Sequence, residues 1–423
     1  MKQTTKSGFV PTLIIGILFF IFGFITWLNG TLIPYLKIAC ELNTFQSLIV
    51  AFAFYISYFV MALPSSWVLK KTGFKNGMML GLLVMACGAL LFIPAALTRI
   101  YVIFLMGLFV IGTGLSILQT ASNPYITIVG PIESAAKRIS IMGICNKVAG
   151  VLAPIILGSV ILSDADSLVK ELQLMNIADK ATQLNELASR VIFPYILIAV
   201  SLAALGFMIL FAPLPEIEPE QENLPGEKNI NDRKSVLQYP NLVLGVIALF
   251  LYVGVEVMAG DTIGIYGRSQ GIALSQARYF TAFTLTAMVV GYIIGIIAIP
   301  KWISQSKALA ISAVVGVLFT LIAVNTREYT SVLFIALLGL ANALMWPAIW
   351  PLAITGLGRH TKVASALLIM AIAGGALLPL LYGKLADIDF IGHRSAYWIM
   401  VPCYLFILFY SLKGYRISSW KKN

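Results

Sequence analysis

Polar and charged side chains inside long apolar runs are the residues of this chain that could do chemistry. Such groups are costly to place in hydrocarbon, so they usually face a cavity or a neighbouring helix. Amides both donate and accept hydrogen bonds, and tryptophan faces suit the apolar face of a pyranose ring. The set predicts a site for a neutral, hydroxyl-rich ligand, and its uncharged members are Asn29, Gln119, Asn123, Asn146, Asn342, Trp346 and Trp350.

Two pairs in this set recur at a spacing of four residues. Gln119 and Asn123 share one face of their helix, and Trp346 and Trp350 share one face of another. A single residue of this kind is usually explained by helix packing or by a position at the membrane interface. The paired arrays favour ligand binding, because binding sites of membrane proteins gather between helices near the midplane.

Lys147, Glu256 and Asp261 are charged residues within apolar runs. Lys147 and Glu256 form either a buried pair that fixes helix packing or a titrating or cation-binding site that couples an ion gradient to a cargo. Intramembrane ionisable residues favour the ion site. Asp261 lies about 140° around the helix from Glu256 and nearer its outer end. It is therefore either solvated or part of the same ion site.

The composition requires lipid as the solvent of these helices. The 423 residues are 59% hydrophobic and 11% charged, with a mean hydropathy of +0.92, whereas a soluble domain carries about 25% charged residues. The net charge of +11 comes from short clusters of Lys and Arg between apolar runs. Such clusters are typical of topology signals that meet lipid headgroups, and they do not form the basic faces that bind nucleic acid.

Twelve apolar runs approach the length of about 20 residues that a membrane span needs. The first is too long for a signal peptide, so it is predicted as a span. The stretch 163–190 predicts a short surface helix, and the proline-rich stretch 214–240 predicts a cytoplasmic linker. The fold is an all-α polytopic membrane protein with two six-helix halves, 1–213 and 241–423. The spans are 9–36, 47–69, 77–97, 101–129, 139–162, 191–213, 241–266, 276–299, 306–325, 330–357, 362–384 and 395–413.

The charge distribution and an internal repeat support this organisation. Eighteen of the 29 Lys and Arg lie on the side of the termini, ten lie on the other side, and Lys147 lies inside a span. This bias predicts both termini in the cytoplasm. The two halves also resemble each other, as expected of a carrier with a site between them. Helices 1 and 7 align with Gly23 on Gly254, Thr31 on Thr262 and Tyr35 on Tyr266.

The cysteines and histidines indicate neither a metal site nor a disulfide framework, because they are scattered and no CxxC pair exists. Without a convergent nucleophile or metal set we expect no enzymatic activity and no cofactor. The residues concerned are Cys40, Cys87, Cys145, Cys403, His360 and His393, and both histidines fall in predicted loops.

Three stretches resemble the fucose/glucose/galactose permeases of the major facilitator superfamily: FITWLNGTLIPYLK (24–37), LQTASNPYITIVGP (118–131) and TGLGRHTKVASALLIMAIAGGALLP (355–379). The elements WLNG, GICNK and VGVEVMAGDT are most similar to the bacterial glucose/galactose or N-acetylglucosamine branch. The resemblance implies a sugar symporter of the bacterial inner membrane with a major facilitator fold. Of the family's gating loop, Gly73 fits the second glycine, but Lys70 stands where the aspartate is expected.

The chain departs from the fucose permease at two acidic positions that the resemblance ties to proton coupling. Gly30 and Gln119 stand where that permease has an aspartate and a glutamate. We hypothesise that the Glu256–Lys147 pair replaces them, with H+, Na+ or no ion as open alternatives. The expected partners are a neutral monosaccharide and the lipid bilayer, and we expect a monomer. The alternatives are an exporter of small amphipathic molecules or a sugar sensor that does not transport.

Overall fold

The computed structural model describes residues 9–128, 135–212, 235–299, 302–357, 360–417 and 419–420. Side chains are described throughout except at 9–12, 123–128, 135–140, 165 and 361–362. The predicted linker 214–240 lies outside the described residues except for 235–240, where a short 3-10 helix, Val236–Gln238, leads into the second half.

Eleven helical segments of the described part are long and apolar enough to cross a membrane. One of them, Thr44–Thr98, has 55 residues, which is about 80 Å of helix and more than twice the hydrocarbon thickness of about 30 Å. Its backbone leaves the helical region at Gly73, where φ is 76° and ψ is 172°. The segment is therefore two crossings joined by a tight turn, and the described residues contain twelve crossings, as the sequence predicts.

We number the crossings spans 1 to 12 in chain order. Their helices are Phe9–Trp27 and Asn29–Ala39 (span 1), Thr44–Leu90 divided at Gly73 and followed by Phe92–Thr98 (spans 2 and 3), Tyr101–Ile128 (span 4), Ala135–Ile161 (span 5), Ile192–Phe211 (span 6), Pro240–Asp261 and Ile263–Ser269 (span 7), Leu274–Ala277 and Phe280–Ala298 (span 8), Gln305–Asn325 (span 9), Glu328–Asn342 and Met345–Ile354 (span 10), Thr361–Met370 and Gly374–Ala386 (span 11), and Gly392–Ala396 and Met400–Leu412 (span 12).

Two details of the connections differ from the predictions. The stretch between spans 5 and 6 forms two surface helices, Ala165–Leu174 and Ile177–Ser189, instead of one. The second begins at Asn176, whose side chain accepts a hydrogen bond from the Asp179 backbone and caps the helix. His393 was predicted in a loop, but it lies in the short helix that begins span 12.

The two halves, spans 1–6 and 7–12, meet along spans 2 and 11 and along spans 5 and 8. Glycines of span 5 allow a close approach at the second interface: a Cβ at Gly143 would lie 3.3 Å from the Tyr292 ring, and one at Gly150 would lie 3.0 Å from Leu285. The internal repeat relates span 2 to span 8 and span 11 to span 5. The two interfaces are therefore counterparts of each other.

Contacts within the halves agree with the predicted alignment of Gly23 on Gly254. A Cβ at Gly23 of span 1 would lie 1.8 Å from the carbonyl oxygen of Asn146 in span 5. A Cβ at Gly254 of span 7 would lie 2.1 Å from Leu378 in span 11. Both glycines thus allow equivalent pairs of helices to touch, which supports the repeat of six spans.

One end of the bundle carries the connections between spans 1 and 2, 5 and 6, 7 and 8, and 11 and 12. We call it the outer end, after the charge bias that predicts it to face away from the cytoplasm. There the halves are hydrogen-bonded to each other: Arg278 of span 8 donates to the carbonyl oxygens of Gly158 and Leu162 at 3.2 and 2.7 Å. The candidate site lies beneath this closed end.

Candidate functional site

The charged pair that the sequence singles out forms in the structure. Lys147 Nζ of span 5 lies 2.7 Å from Glu256 Oε1 of span 7, and each side chain is 10% exposed. A buried charge without a partner costs several kcal/mol, so each residue stabilises the other in this position. Spans 5 and 7 belong to different halves, and the pair therefore joins the halves.

Trp27 of span 1 completes this pair, although the sequence analysis did not select it. Lys147 Nζ lies 4.7 Å from the centroid of the Trp27 ring, which is a cation–π contact. The buried indole fits between spans 5 and 7 because Gly150 and Gly260 leave room for it. A Cβ at either glycine would lie 2.5 or 2.3 Å from a ring atom. In the sequence, only the proximity of Trp27 to Asn29 marks it among the aromatic residues.

Asp261 of span 7 is fully buried, at 0% exposure. Its two carboxylate oxygens have no hydrogen-bond partner among the described residues. The interpretation of Asp261 as a solvated residue is therefore wrong. Span 8 covers this part of span 7: Thr281 donates a hydrogen bond to the Gly260 carbonyl at 2.7 Å.

Buried tyrosines surround the acidic part of the site. Tyr252 lies one helical turn before Glu256, so the two side chains share a face of span 7. Tyr55 of span 2 interacts electrostatically with Glu256 and Asp261, and its hydroxyl has no partner among the described residues. Sequence reasoning missed these residues because a tyrosine in an apolar run is not distinct from other aromatic residues. The spacing of four residues between Tyr252 and Glu256 was the available signal.

Trp346 and Trp350 of span 10 share a face, as their spacing predicts. Their half-buried rings are stacked, with centroids 5.4 Å apart and planes at 28°. The Tyr252 ring lies 6.4 Å from that of Trp346. Because Tyr252 shares a helix face with Glu256, the tryptophan stack lies on the same side of span 7 as the charged pair. The structure thus brings two separately predicted parts of the site together.

Two of the predicted amides bond within the first half. Gln119 Nε2 donates to the Tyr58 hydroxyl at 3.2 Å, and Asn146 Nδ2 donates to the Phe19 carbonyl at 3.4 Å. The side chain of Asn123 lies outside the described residues. The described contacts of Gln119 and Asn146 therefore remain in their own half and do not join them to the tryptophan stack.

Asn29, Asp261 and Asn342 are almost completely buried, at 1%, 0% and 0% exposure. Asn342 Oδ1 accepts a hydrogen bond from the Tyr404 hydroxyl at 2.9 Å. Its Nδ2 and both polar atoms of Asn29 have no partner among the described residues. Asn29 lines a small cavity with Leu28, Leu32 and other residues of the first half.

The site offers a stacked aromatic surface, hydrogen-bonding amides and buried carboxyl groups. In the part of the chain that the structure describes, no three His, Cys, Asp or Glu side chains are grouped to hold a metal ion. The arrangement can hold an uncharged ring against Trp346 and Trp350, and it can hold a proton or a cation at Glu256 or Asp261. The Lys147–Glu256 pair lies at the junction of the two six-span halves.

Twelve spans in two related halves, with ionisable groups between them, define a polytopic membrane protein of the transporter class. The sequence profile of the Major Facilitator Superfamily matches residues 15–379. The chain belongs to this family, which confirms the resemblance found in the sequence.

Individual relatives cover nearly the whole chain. It is 37% identical over 401 residues to the "Glucose/galactose transporter" of Brucella abortus biovar 1 (strain 9-941), covering 94% of this chain and 92% of the relative. It is 27% identical over 387 residues to the "L-fucose-proton symporter" of Escherichia coli (strain K12), covering 90% and 88%. The crystal structure of the transporter FucP in the outward conformation matches with a TM-score of 0.73 and 26% identity, covering 96% of this chain and 99% of that one.

Proposed function

We propose that the chain imports a neutral hexose of the glucose/galactose type across the bacterial inner membrane, in symport with protons. The observation that carries the proposal is the Lys147–Glu256 pair between the halves, with Tyr252 on the same helix face as Glu256 and against the stacked Trp346 and Trp350. The substrate class and the ion are supported by relatives named glucose/galactose transporter and L-fucose-proton symporter.

The sugar site of this proposal lies against the tryptophan stack. The half-buried faces of Trp346 and Trp350 suit the C–H face of a pyranose, and an indole N–H remains free to bond a hydroxyl group. The amides predicted for sugar binding are Asn29, Gln119, Asn123, Asn146 and Asn342. Asn29 and Asn342 support this role through polar atoms that lack a partner among the described residues, since such atoms can bond a ligand hydroxyl when a cavity opens.

The choice of a proton rests on the surroundings of Asp261. An ionised carboxylate that is fully buried without a hydrogen bond costs several kcal/mol, whereas the neutral acid avoids most of that cost. Hard cations instead require a set of several oxygen ligands, and Asp261 belongs to no group of three His, Cys, Asp or Glu side chains among the described residues. Asp261 therefore carries the proton in this closed state, and Glu256 releases or accepts one when its bond to Lys147 breaks.

Transport follows from motion of the two halves about this site. In alternating access the halves move as units, so that the sugar and the proton enter from one side and leave on the other. We assign the moving units to 1–213 and 241–423, the linker to 214–240, and both termini to the cytoplasm on the charge bias. Both interfaces between the halves lie within one chain, which supports a monomer as the working unit.

The test is uptake of radiolabelled glucose, galactose, fucose and N-acetylglucosamine into proteoliposomes with an imposed proton gradient, a sodium gradient or neither. We expect glucose or galactose to accumulate above equilibrium only with the proton gradient. Accumulation with the sodium gradient alone would overturn the assignment of the ion. A lack of uptake of all four sugars would overturn the substrate class and favour the exporter or the sensor.

A further inference from the structure

At the outer end, one aspartate of each half forms hydrogen bonds with the other half. Asp166, in the connection after span 5, accepts hydrogen bonds from the backbone nitrogens of Leu274 and Ser275 at 2.7 and 2.9 Å. Arg268 of the second half also donates to it, at 3.3 Å. Asp166 thus covers the first turn of span 8, whose preceding residue Ala273 has no side chain that could cap it.

Asp387, in the connection after span 11, makes the corresponding contact in the opposite direction. It accepts hydrogen bonds from the backbone nitrogens of Thr44 and Phe45 at 3.2 and 2.7 Å. These residues form the first turn of span 2. Asn43 caps the next free nitrogen of the same turn, that of Gln46, at 2.7 Å. Asp387 therefore accepts hydrogen bonds from the two backbone N–H groups of this turn that Asn43 does not cap.

The internal repeat relates these two contacts to each other. Span 5 corresponds to span 11, and span 8 corresponds to span 2, so each aspartate follows an equivalent span and caps an equivalent span of the other half. The first backbone N–H groups of a helix have no partner within it, and a carboxylate is favoured at this positive end. Both aspartates satisfy these groups only while the outer ends of the halves touch.

We propose that Asp166 and Asp387 are a pair of matching locks that hold the outer end closed. Opening the outer end separates each carboxylate from the first turn that it caps and leaves four backbone nitrogens without these bonds. The locks therefore stabilise the state closed to the outside relative to the state open to it. Asp166 and Asp387 act on the relative position of the two halves and not on the ligand. In the described structure they contact neither the tryptophan stack nor the Lys147–Glu256 pair.

The first test measures how often the outer end opens. A full-length chain without native cysteines carries Thr281→Cys as a reporter. Thr281 is 1% exposed, and a Cβ at Gly30 of span 1 would meet its hydroxyl. The new thiol is therefore reached from outside only when the halves separate. Its rate of reaction with a membrane-impermeant maleimide is recorded in right-side-out vesicles without any sugar.

We expect Asp166→Asn and Asp387→Asn each to accelerate labelling about fivefold, which corresponds to about 1 kcal/mol per lock. The double variant is expected to accelerate it about 25-fold, because distant sites act additively in free energy. The matched control is Asp164→Asn, two residues from Asp166, whose carboxylate pairs with Arg190 of its own half. Labelling of both lock variants at the rate of this control would overturn the proposal.

A second measurement does not depend on how well the asparagine variants fold. In the same background without native cysteines, and without the reporter, Asp166→Cys is combined with Ser275→Cys and oxidised to a disulfide. We expect sugar exchange to stop on oxidation and to return on reduction. Exchange at the full rate with the disulfide formed would show that the contact need not open, and it would overturn the lock. The labelling test requires no substrate, so its outcome is separate from that of the proposed sugar transport.

Discussion

Removing one member of the Lys147–Glu256 pair should damage the fold, and removing both should not. Each side chain is only 10% exposed, and their charged atoms are 2.7 Å apart. Glu256→Gln leaves the lysine charge buried without its partner, and Lys147→Met leaves the glutamate charge. Breaking a buried ion pair in this way costs about 3–5 kcal/mol. At about 2 °C per kcal/mol, we expect each single variant to unfold roughly 6–10 °C earlier.

The double variant with Lys147→Met and Glu256→Gln contains neither charge. Uncharged side chains of similar volume often replace a buried pair with little loss of stability, so we expect the double variant to unfold within about 2 °C of the parent protein, which is about 1 kcal/mol. Thermal unfolding in detergent measures this part. The matched control is Lys180→Met, because Lys180 pairs with Glu41 on the surface, where the side chains are 38% and 51% exposed. That change should cost less than about 1 kcal/mol.

Transport assays then distinguish a role of the Lys147–Glu256 pair in helix packing from a role in coupling sugar transport to the proton gradient. In proteoliposomes, the double variant should exchange sugar at equilibrium, because its fold is intact. It should not accumulate sugar against a gradient, because Asp261 remains but Glu256, the second group proposed to exchange a proton, is gone. If the double variant or Glu256→Gln accumulates sugar like the parent protein, the pair serves packing alone and the coupling argument is refuted. If the double variant remains as unstable as the single ones, the energetic argument from charge burial is refuted.

Three further predictions concern glycine packing and the tryptophan stack. Gly23→Ala should cost about 3 kcal/mol or more in thermal unfolding, because its Cβ would lie 1.8 Å from the backbone oxygen of Asn146, which cannot rotate away. Gly73→Ala should cost about 1–3 kcal/mol in the same measurement, because its φ of 76° with ψ of 172° suits glycine alone. Trp350→Leu removes one of the two stacked rings against which the sugar is proposed to lie. If that ring contributes about 0.5–1.5 kcal/mol to sugar binding, the sugar concentration for half-maximal uptake should rise roughly two- to tenfold.

Two of these predictions have a control variant, and the third has an outcome that would contradict it. Gly206→Ala places a Cβ at an ordinary 3.5 Å from its neighbours and should leave the unfolding temperature unchanged, unlike Gly23→Ala. An unchanged unfolding temperature for Gly73→Ala would mean that the turn adopts another conformation. Trp67→Leu alters an exposed tryptophan of span 2 and should leave uptake unaffected. An equal effect of Trp67→Leu and Trp350→Leu would argue against a sugar site at the stack.

The amino-acid sequence by itself determined the architecture. A span needs about 20 apolar residues, and this requirement is local, so hydropathy alone predicts twelve spans. The same cost of burying polar groups identified Lys147, Glu256 and Asp261 as unusual. Even the division of Thr44–Leu90 into two spans was evident, because the polar residues around Gly73 interrupt the apolar pattern.

Tertiary structure decided which of these groups meet. Lys147 and Glu256 are 109 positions apart, and sequence spacing carries no information about such a contact. The sequence left Asp261 open as either solvated or part of the ion site, because its position on a single helix gives no information about the neighbouring spans that bury it. Asp387 looked like any acidic loop residue, yet it binds a backbone nitrogen 343 positions away. Burial and partnership depend on all helices that surround a residue, whereas hydrophobicity belongs to the residue alone; the sequence therefore predicts the spans, and only the packed bundle defines the site.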